Sequence, residues 1–522
     1  MSSDWWSGHA RIRCPAAMRT GNIDVTTPPG PGIPAPVRLG TPAGRWTLVI
    51  TAVGSGLVLL EATVVNVALP ALERNLDASL AGLQWTVNAF TLTLSALILL
   101  GGGLGDRFGR RRVYLIGVAW FAAASLLCGV APTLEWLIVG RALQGIGGAL
   151  VVPGSLALIQ SSFHPDDRAR AIGWWSGMSG MAGAAGPLLG GVLVDVAGWR
   201  WVFLINVPVS ALLAWMLVAH VPESRHSELS GRFDVAGAVL AALGLGAMTF
   251  ALIRAVDDLG AAAFAALLAL VASLAFVWIE RRSRAPMLPL GLFSSRSFSV
   301  ANLAGFFLYG GLAGLFFLLP IQLQVTAGYS TLATGLALLP LTVLTLVLSA
   351  WGGTLTTRTG PRIPLAAGAL LCGLALLLAT RIGPDAAYLS HVLPVVALVG
   401  LGIPMITPPI TATVLGAVPD ARAGTASAVS NGVARAAGLI VVAALPLLAG
   451  LPQEAANNPA ALDRGFDAGM LICGGLFVLG GIIVWFGVPR YTSVPAEPIC
   501  RHHWTGCPQL AESRRPSTGP AS

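Results

Sequence analysis

Fourteen apolar runs, each close to the length that crosses a bilayer, limit what this chain can fold into more than any other feature. The first lies at 47–69 and the last at 468–488. A helix of about 20 residues spans the roughly 30 Å of bilayer hydrocarbon. Lipid offers the backbone no hydrogen bonds, so such runs are helices that satisfy themselves internally. Of the 522 residues 55% are hydrophobic and 10% charged, against about 25% charged in soluble domains. The expected fold class is an all-α polytopic membrane protein with 14 transmembrane helices, held in the lipid bilayer. No long polar, periodic stretch is left to build a soluble second core.

The formal net charge of +8 is carried by arginine alone, for all 31 basic residues are Arg. All but two sit in short loops and tails, a pattern that sets membrane orientation and does not call for nucleic acid. Fifteen fall in the loops on the side of 102–112, among them Arg168, Arg225, Arg281, Arg358 and Arg422. Five fall opposite: Arg74, Arg200, Arg254, Arg381 and Arg464. Arginine-rich short loops stay in the cytoplasm, and an even number of spans returns both termini to that side of the cell membrane. The tails, 1–45 and 491–522, are expected to be disordered cytoplasmic arms. Cys500, His502, His503 and Cys507 cluster in the second. Their spacing fits no common zinc pattern, so no metal is expected there.

The second and third runs are joined by Gly102-Gly-Leu-Gly-Asp-Arg-Phe-Gly-Arg-Arg-Arg112. Lipid cannot hold four arginines this close together, so the stretch reads as a water-exposed turn. Gly102, Gly103 and Gly105 let a neighbouring helix approach, and Gly109 can take the positive φ of a tight turn. Asp106 can accept from free N–H groups at a facing helix start, while Arg107, Arg110 and Arg111 suit exposed C-terminal carbonyls. The stretch is either a latch between helices or a basic loop that only sets topology. Its pattern returns in Gly353-Thr-Leu-Thr-Thr-Arg-Thr-Gly-Pro-Arg362 at an offset of 251, with Thr357 in place of Asp106. Pro165-Asp-Asp-Arg-Ala169 returns as Pro419-Asp-Ala-Arg-Ala423 at an offset of 254. Two matches at nearly one offset point to a duplicated six-helix unit. The expected domains are six-helix bundles over 46–222 and 299–490, with a two-helix hairpin inserted over 223–298. Transporters built from repeats bind substrate between the halves and alternate access by rocking.

Of 23 acids, only Glu61 lies deep within a run. An ionised carboxylate there costs about 2.5–3.5 kcal/mol on insertion scales. Dry surroundings keep a proton on a carboxyl, and water or an approaching cation releases it. Those are the properties of a proton-coupling group, which is expected to open on the central cavity, so that a Glu61 walled off from it would tell against the pump. A permanently protonated structural hydrogen bond is the alternative. A rise of 1.5 Å per residue puts Glu61 about 21 Å up the first span and Arg141 about 10 Å down the fourth. The two are then at similar depth and able to pair. In span 13, Ser427, Asn431 and Arg435 repeat every fourth residue, a stripe that either faces a cavity or serves structure. Gln84, Asn88, Thr91 and Ser95 share a face of span 2, as cavity lining or as glue between helices. One deep acid against two deep arginines points to zwitterionic or anionic substrates. Span 5 carries Gly186, Pro187, Gly190 and Gly191, small residues and a kink former, and is a candidate gate.

Together these stretches resemble the fourteen-span drug:proton antiporter branch of the major facilitator superfamily, over roughly residues 45–490. Leu60-Glu-Ala-Thr-Val-Val-Asn-Val-Ala-Leu-Pro70 is similar to its first-span motif, with Glu61 where Asp is usual. Gly102–Arg112 resembles its loop motif. Arg141, Gln144, Gly145 and Gly147 fall on its fourth-span motif, which the family links to proton transfer. Ala185-Gly-Pro-Leu-Leu-Gly-Gly191 is similar to the fifth-span motif associated with antiport, with Ala182 in place of the leading glycine. Trp199–Pro208 resembles the start of the branch's sixth span.

The resemblance implies the major facilitator fold and a proton-coupled antiporter that exports amphipathic drugs or antibiotics. The proton gradient would supply the energy, with no cofactor, and a monomer is expected. Glu61 and Arg141 would be the coupling pair. Gln84, Asn88, Thr91, Gln144, Ser427, Asn431 and Arg435 would form the substrate cavity. Gly102, Asp106, Arg107, Gly109, Arg110 and Arg111 would shape the cytoplasmic gate. Proton-coupled uptake of a small metabolite is the rival reading. An enzyme or sensor is disfavoured, because no paired carboxylates, His cluster or phosphate loop is present.

Overall fold

The computed structural model describes residues 37–223, 234–283, 286–419, 422–453 and 458–488. Both tail ends, with Cys500, His502, His503 and Cys507, lie outside the described residues. The chain runs through α1 (Pro42–Leu76), α2 (Leu80–Phe108), α3 (Arg110–Gly129), α4 (Leu134–Ser162), α5 (Pro165–Ala197) and α6 (Arg200–His220). Then come α7 (Val235–Arg254), α8 (Leu259–Arg282), α9 (Arg296–Thr326) and α10, in two pieces (Thr331–Ala337 and Leu339–Thr359). Last are α11 (Arg362–Ala379), α12 (Tyr388–Gly416), α13 (Ala423–Leu448) and α14 (Pro459–Gly487). Thirteen helical segments among the described residues are long and apolar enough to cross a membrane.

Two boundaries differ from expectation. α14 begins at Pro459, well before 468, because the Asn458 side chain caps it by accepting from Ala461 N at 3.2 Å. Asp463, Arg464 and Asp467 hide that first stretch from an apolar pattern, but a helix can continue past lipid. The arm expected over 1–45 overlaps ordered chain from Val37 onward. Val37 N donates to Ser162 O at 2.7 Å and Leu39 N to Asp167 Oδ2 at 3.2 Å, strapping this segment to the α4–α5 turn.

The water-exposed turn expected over 102–112 contracts to one residue. α2 continues through Phe108 and α3 starts at Arg110, with Gly109 alone between them at φ 105°. A Cβ at this position would also lie 2.8 Å from the Glu223 carboxylate. Gly360, followed by Pro361, joins α10 to α11 with a like positive φ of 76°, at the offset of 251 that relates the two sequence motifs. Gly109→Ala is expected to cost on the order of 1–3 kcal/mol, read as an earlier thermal transition in detergent. Gly353→Ala, whose Cβ would meet nothing within 4 Å, is the control and should leave that transition unchanged or raise it.

α1 packs along α4 and α5, and α4 along α2 and α3, which ties the first helices into one bundle. α9 packs on α13 and α14, and α11 on α12 and α14, in a second. α7 and α8 pack on each other, and α7 lies against both α2 and α13.

The bundles meet at the end away from Gly109. Gln84 Nε2 donates to Val442 O at 2.7 Å and Ala443 O at 3.0 Å. Gln324 Nε2 donates to Val67 O at 2.9 Å, and Thr342 Oγ1 to Ala184 O at 2.9 Å. Leu332 N donates to Asp195 Oδ2 at 3.0 Å, and Ala81 N to Gln453 Oε1 at 2.9 Å. These bonds form a seam.

Below the seam the halves part. One face of α5 carries, in order, Gly191, Pro187, Ala184, Gly180, Gly177 and Gly173. α10 covers its seam end: a Cβ at Gly191 would come 2.9 Å from Thr331 O. At Gly180, Gly177 and Gly173 a Cβ would meet nothing within 4 Å, and the same holds on α13 at Gly432 and Gly424. The molecule is closed at the seam and opens as a cleft toward the Gly109 end.

Candidate functional site

Glu61 is fully buried within the first bundle, and its two oxygens are both taken. α4 brings Arg141, whose Nη1 donates to Glu61 Oε1 at 2.6 Å and to Gln144 Oε1 at 2.7 Å. Arg141 Nε donates to Thr86 O of α2 at 3.0 Å, and the guanidinium lies 4.4 Å over the Phe90 ring. α6 brings Asn206, whose Nδ2 donates to Glu61 Oε2 at 2.6 Å. Gln144 Nε2 donates to Ser125 Oγ of α3 at 2.8 Å. Taking two charges out of water is expensive, and their attraction repays it only where further hydrogen bonds complete the shell. Here they do.

Glycine sets the geometry. A Cβ at Gly145 would run into Phe90 O and Thr93 Oγ1, so only glycine lets α4 approach α2 this closely. Thr93 Oγ1 in turn donates to Ala142 O at 2.7 Å, and the approach holds Arg141 against Phe90.

Depth arithmetic anticipated the Glu61–Arg141 pair, but a central opening was the expected place for Glu61. It is walled off inside one bundle instead, because α3, α4 and α6 surround that face of α1 with partners. Gln144 is likewise a member of this network and not a cavity residue. Gln84 belongs to the seam. Asn88, one turn on, is buried, and among the described residues its Nδ2 has no partner. Thr91 is half-buried with its hydroxyl turned back to Val87 O at 3.3 Å. On α13, Ser427 and Arg435 are half-buried and Asn431 is exposed, on the open part of the helix.

The expected gate residues are placed in part. The side chain of Asp106 lies outside the described residues. Arg107 stacks over Phe108 at 5.5 Å, and Arg110 opens α3. A Cβ at Gly102 would lie 3.7 Å from Pro153 Cβ, an ordinary contact. Arg111 N and Arg112 N donate to Glu223 Oε1 at 3.1 Å and Oε2 at 3.2 Å, and Arg111 Nη2 donates to Val218 O at 3.2 Å. Glu223, just past α6, thus caps the start of α3, the type of job assigned to Asp106. α5 runs unbroken through Pro187. Cβ atoms at Gly186 and Gly190 would strike Thr63 and Val64 of α1, while Gly191 meets α10.

Sequence reasoning missed Asn206, Ser125 and Glu223. Asn206 had a signal, for it is the one polar side chain in Val202–Pro208. The other two had none beyond their residue type.

Residues 51–443 match the family model of the Major Facilitator Superfamily. The chain belongs to that superfamily. It is a membrane transporter and not an enzyme. The multidrug resistance protein Stp of Mycobacterium tuberculosis is 37% identical over 74% of this chain and 72% of its own. The puromycin resistance protein of Streptomyces alboniger is 39% identical over 77% and 81%. The tetracenomycin C resistance and export protein of Streptomyces glaucescens is 34% identical over 81% and 82%. Among solved structures, a bacterial homologue of the human lysosomal transporter Spinster, inward-facing and unoccupied, superposes with a TM-score of 0.62. It is 17% identical, over 86% of this chain and 97% of its own. At that identity the likeness speaks for the fold alone.

Proposed function

We propose that this transporter is a proton-coupled antiporter that exports amphipathic drugs or antibiotics from the cytoplasm or inner leaflet by alternating access. The resistance and export relatives support the direction and the substrate class. The scaffold would be 14 transmembrane helices, α2 included, in six-helix halves with α7 and α8 as the inserted hairpin. The arginine bias of the loops puts the Gly109 end and both termini in the cytoplasm, so the cleft is open inward. The protein would act as a monomer in the cell membrane, without a cofactor.

The observation that carries the reading is the closed Glu61–Arg141–Asn206 network. A proton delivered to Glu61 cancels the carboxylate and leaves the Arg141 charge buried and uncompensated, at a cost of about 3–5 kcal/mol. Inverting a two-state equilibrium from 1:99 to 99:1 takes about 5.5 kcal/mol. Protonation therefore supplies most of what is needed to disfavour this arrangement and favour one in which Arg141 finds water or a new partner. Proton exchange belongs to that other state, since no solvent reaches Glu61 here.

Everted membrane vesicles energised to an acid interior test this. Adding a transported drug should release protons, and the release should vanish in vesicles without the protein. A drug panel that never collapses the gradient, while expression still confers resistance, would overturn proton coupling. Gradient-driven accumulation of a metabolite by intact cells, with no resistance conferred, would favour symport.

A further inference from the structure

We propose that the unpaired guanidinium of Arg435, with the Asn88 amide nearby, forms an anion-binding point at the apex of the cleft, so that the exported compounds are bound through an anionic oxygen, as in a carboxylate or an ionised phenol. This rests on the export reading above and narrows its substrate class.

The charges leave few options. Glu61 and Arg141 neutralise each other inside the first bundle, so neither charge is offered to the cleft. Arg435 has no such mate. Among the described residues it makes no ion pair or hydrogen bond, and its Nε is buried without an acceptor. A structural arginine at this depth would be bonded to carbonyls or a carboxylate; this one is not.

Position follows from the seam. Gln84 on α2 is bonded to Val442 and Ala443 on α13, which fixes the facing sides of these two helices. Arg435 lies about two turns from Val442 along that side of α13, and Asn88 about one turn from Gln84 along α2. Both are therefore just inside the point where the helices part. Next to Arg435 the wall is open: Asn431 is exposed, and a Cβ at Gly432 would meet nothing within 4 Å. Asn88 is only 1% exposed, and among the described residues neither its Nδ2 nor its Oδ1 has a hydrogen-bond partner. Buried donors left without acceptors are costly and rare.

Guanidinium has no acceptor atom, so Arg435 can only donate, and the Asn88 amide beside it has an N–H group to add. A planar anionic oxygen pair satisfies a guanidinium in a charge-assisted, two-point bond. A permanently cationic drug would meet an unscreened like charge instead.

The test uses the full chain in nanodiscs and two probes, naphthylacetate and its methyl ester, which lacks the charge and carries one more methyl group. The parent should bind the carboxylate on the order of tenfold more tightly than the ester. Arg435→Gln should erase the preference, and Arg435→Lys should keep part of it. Asn88→Leu should weaken the carboxylate more than the ester. A parent that binds both alike, or an Arg435→Gln form that keeps the preference, overturns the proposal. If Arg435→Gln does not fold, Arg435→Lys and Asn88→Leu decide it, and a carboxylate-to-ester affinity ratio unchanged in both counts against the proposal. A carboxylate preference without proton release in vesicles would sink the antiport reading alone. Proton-coupled export with no such preference would sink this one alone.

Discussion

Arg141→Met is expected to lose about 3–5 kcal/mol of stability, and adding Glu61→Gln is expected to return most of it without restoring transport. Arg141 holds three polar contacts, with Glu61, Gln144 and Thr86 O. Removing it strands a buried carboxylate whose remaining donor is Asn206. Neutralising both partners removes the stranded charge. Thermal unfolding in detergent by intrinsic fluorescence reads the cycle, and a double variant no more stable than Arg141→Met would show that the pair is not ionised in this state. Glu61→Gln by itself should fold. Its amide oxygen can still accept from Arg141, but its amide nitrogen then faces the Asn206 donor. Export against a proton gradient should fall by at least about a hundredfold, since the loss of a buried charge pair is worth several kcal/mol. Equilibrium exchange of drug should persist, because the cleft and the seam do not contain Glu61.

How much of this could be read from the chain depends on what lies on each side of a helix. Helix positions were legible because lipid imposes one length and one composition. The Glu61–Arg141 pairing was legible because depth follows from rise per residue alone. The positive φ at Gly109 was legible because charge on both sides left only a turn. Facing was not. In a soluble helix the polar side marks water, whereas here the lipid side and the packed side are both apolar. Gln84 and Asn88 share a stripe, yet one closes the seam and the other has a free donor just inside it. Gln144 follows Arg141 by less than a turn and so could point to a cavity or to α3; only the packing of Ser125 shows which. Glu223 was invisible for a different reason. It lies outside the apolar run, and its role exists only because α6 ends beside Gly109.

Bulk placed at opposite ends of one stripe on α5 should drive the conformational equilibrium in opposite directions. Gly191→Val adds a side chain where Thr331 O already lies 2.9 Å from the position of Cβ and Leu332 Cα 3.1 Å. The seam can close over it only by shifting α10, and overpacking of this kind costs about 1–3 kcal/mol. That cost falls on the closed seam alone, so the variant should be displaced from the present arrangement by roughly 5- to 150-fold. Gly177→Val adds its side chain into open cleft, where a Cβ meets nothing within 4 Å. It costs little here and becomes a clash only when the Gly109 end closes, so the present arrangement should gain. Both variants should transport poorly, which alone would say nothing about mechanism. The discriminating readout is the alkylation rate of Asn431→Cys, in a background without the native cysteines, from the Gly109 side. Asn431 is exposed in the open cleft, so Gly177→Val should raise that rate and Gly191→Val should lower it. Rates that move together in both variants would mean that α5 does not ride on two alternative closures, and the rocking of the halves would have to be abandoned.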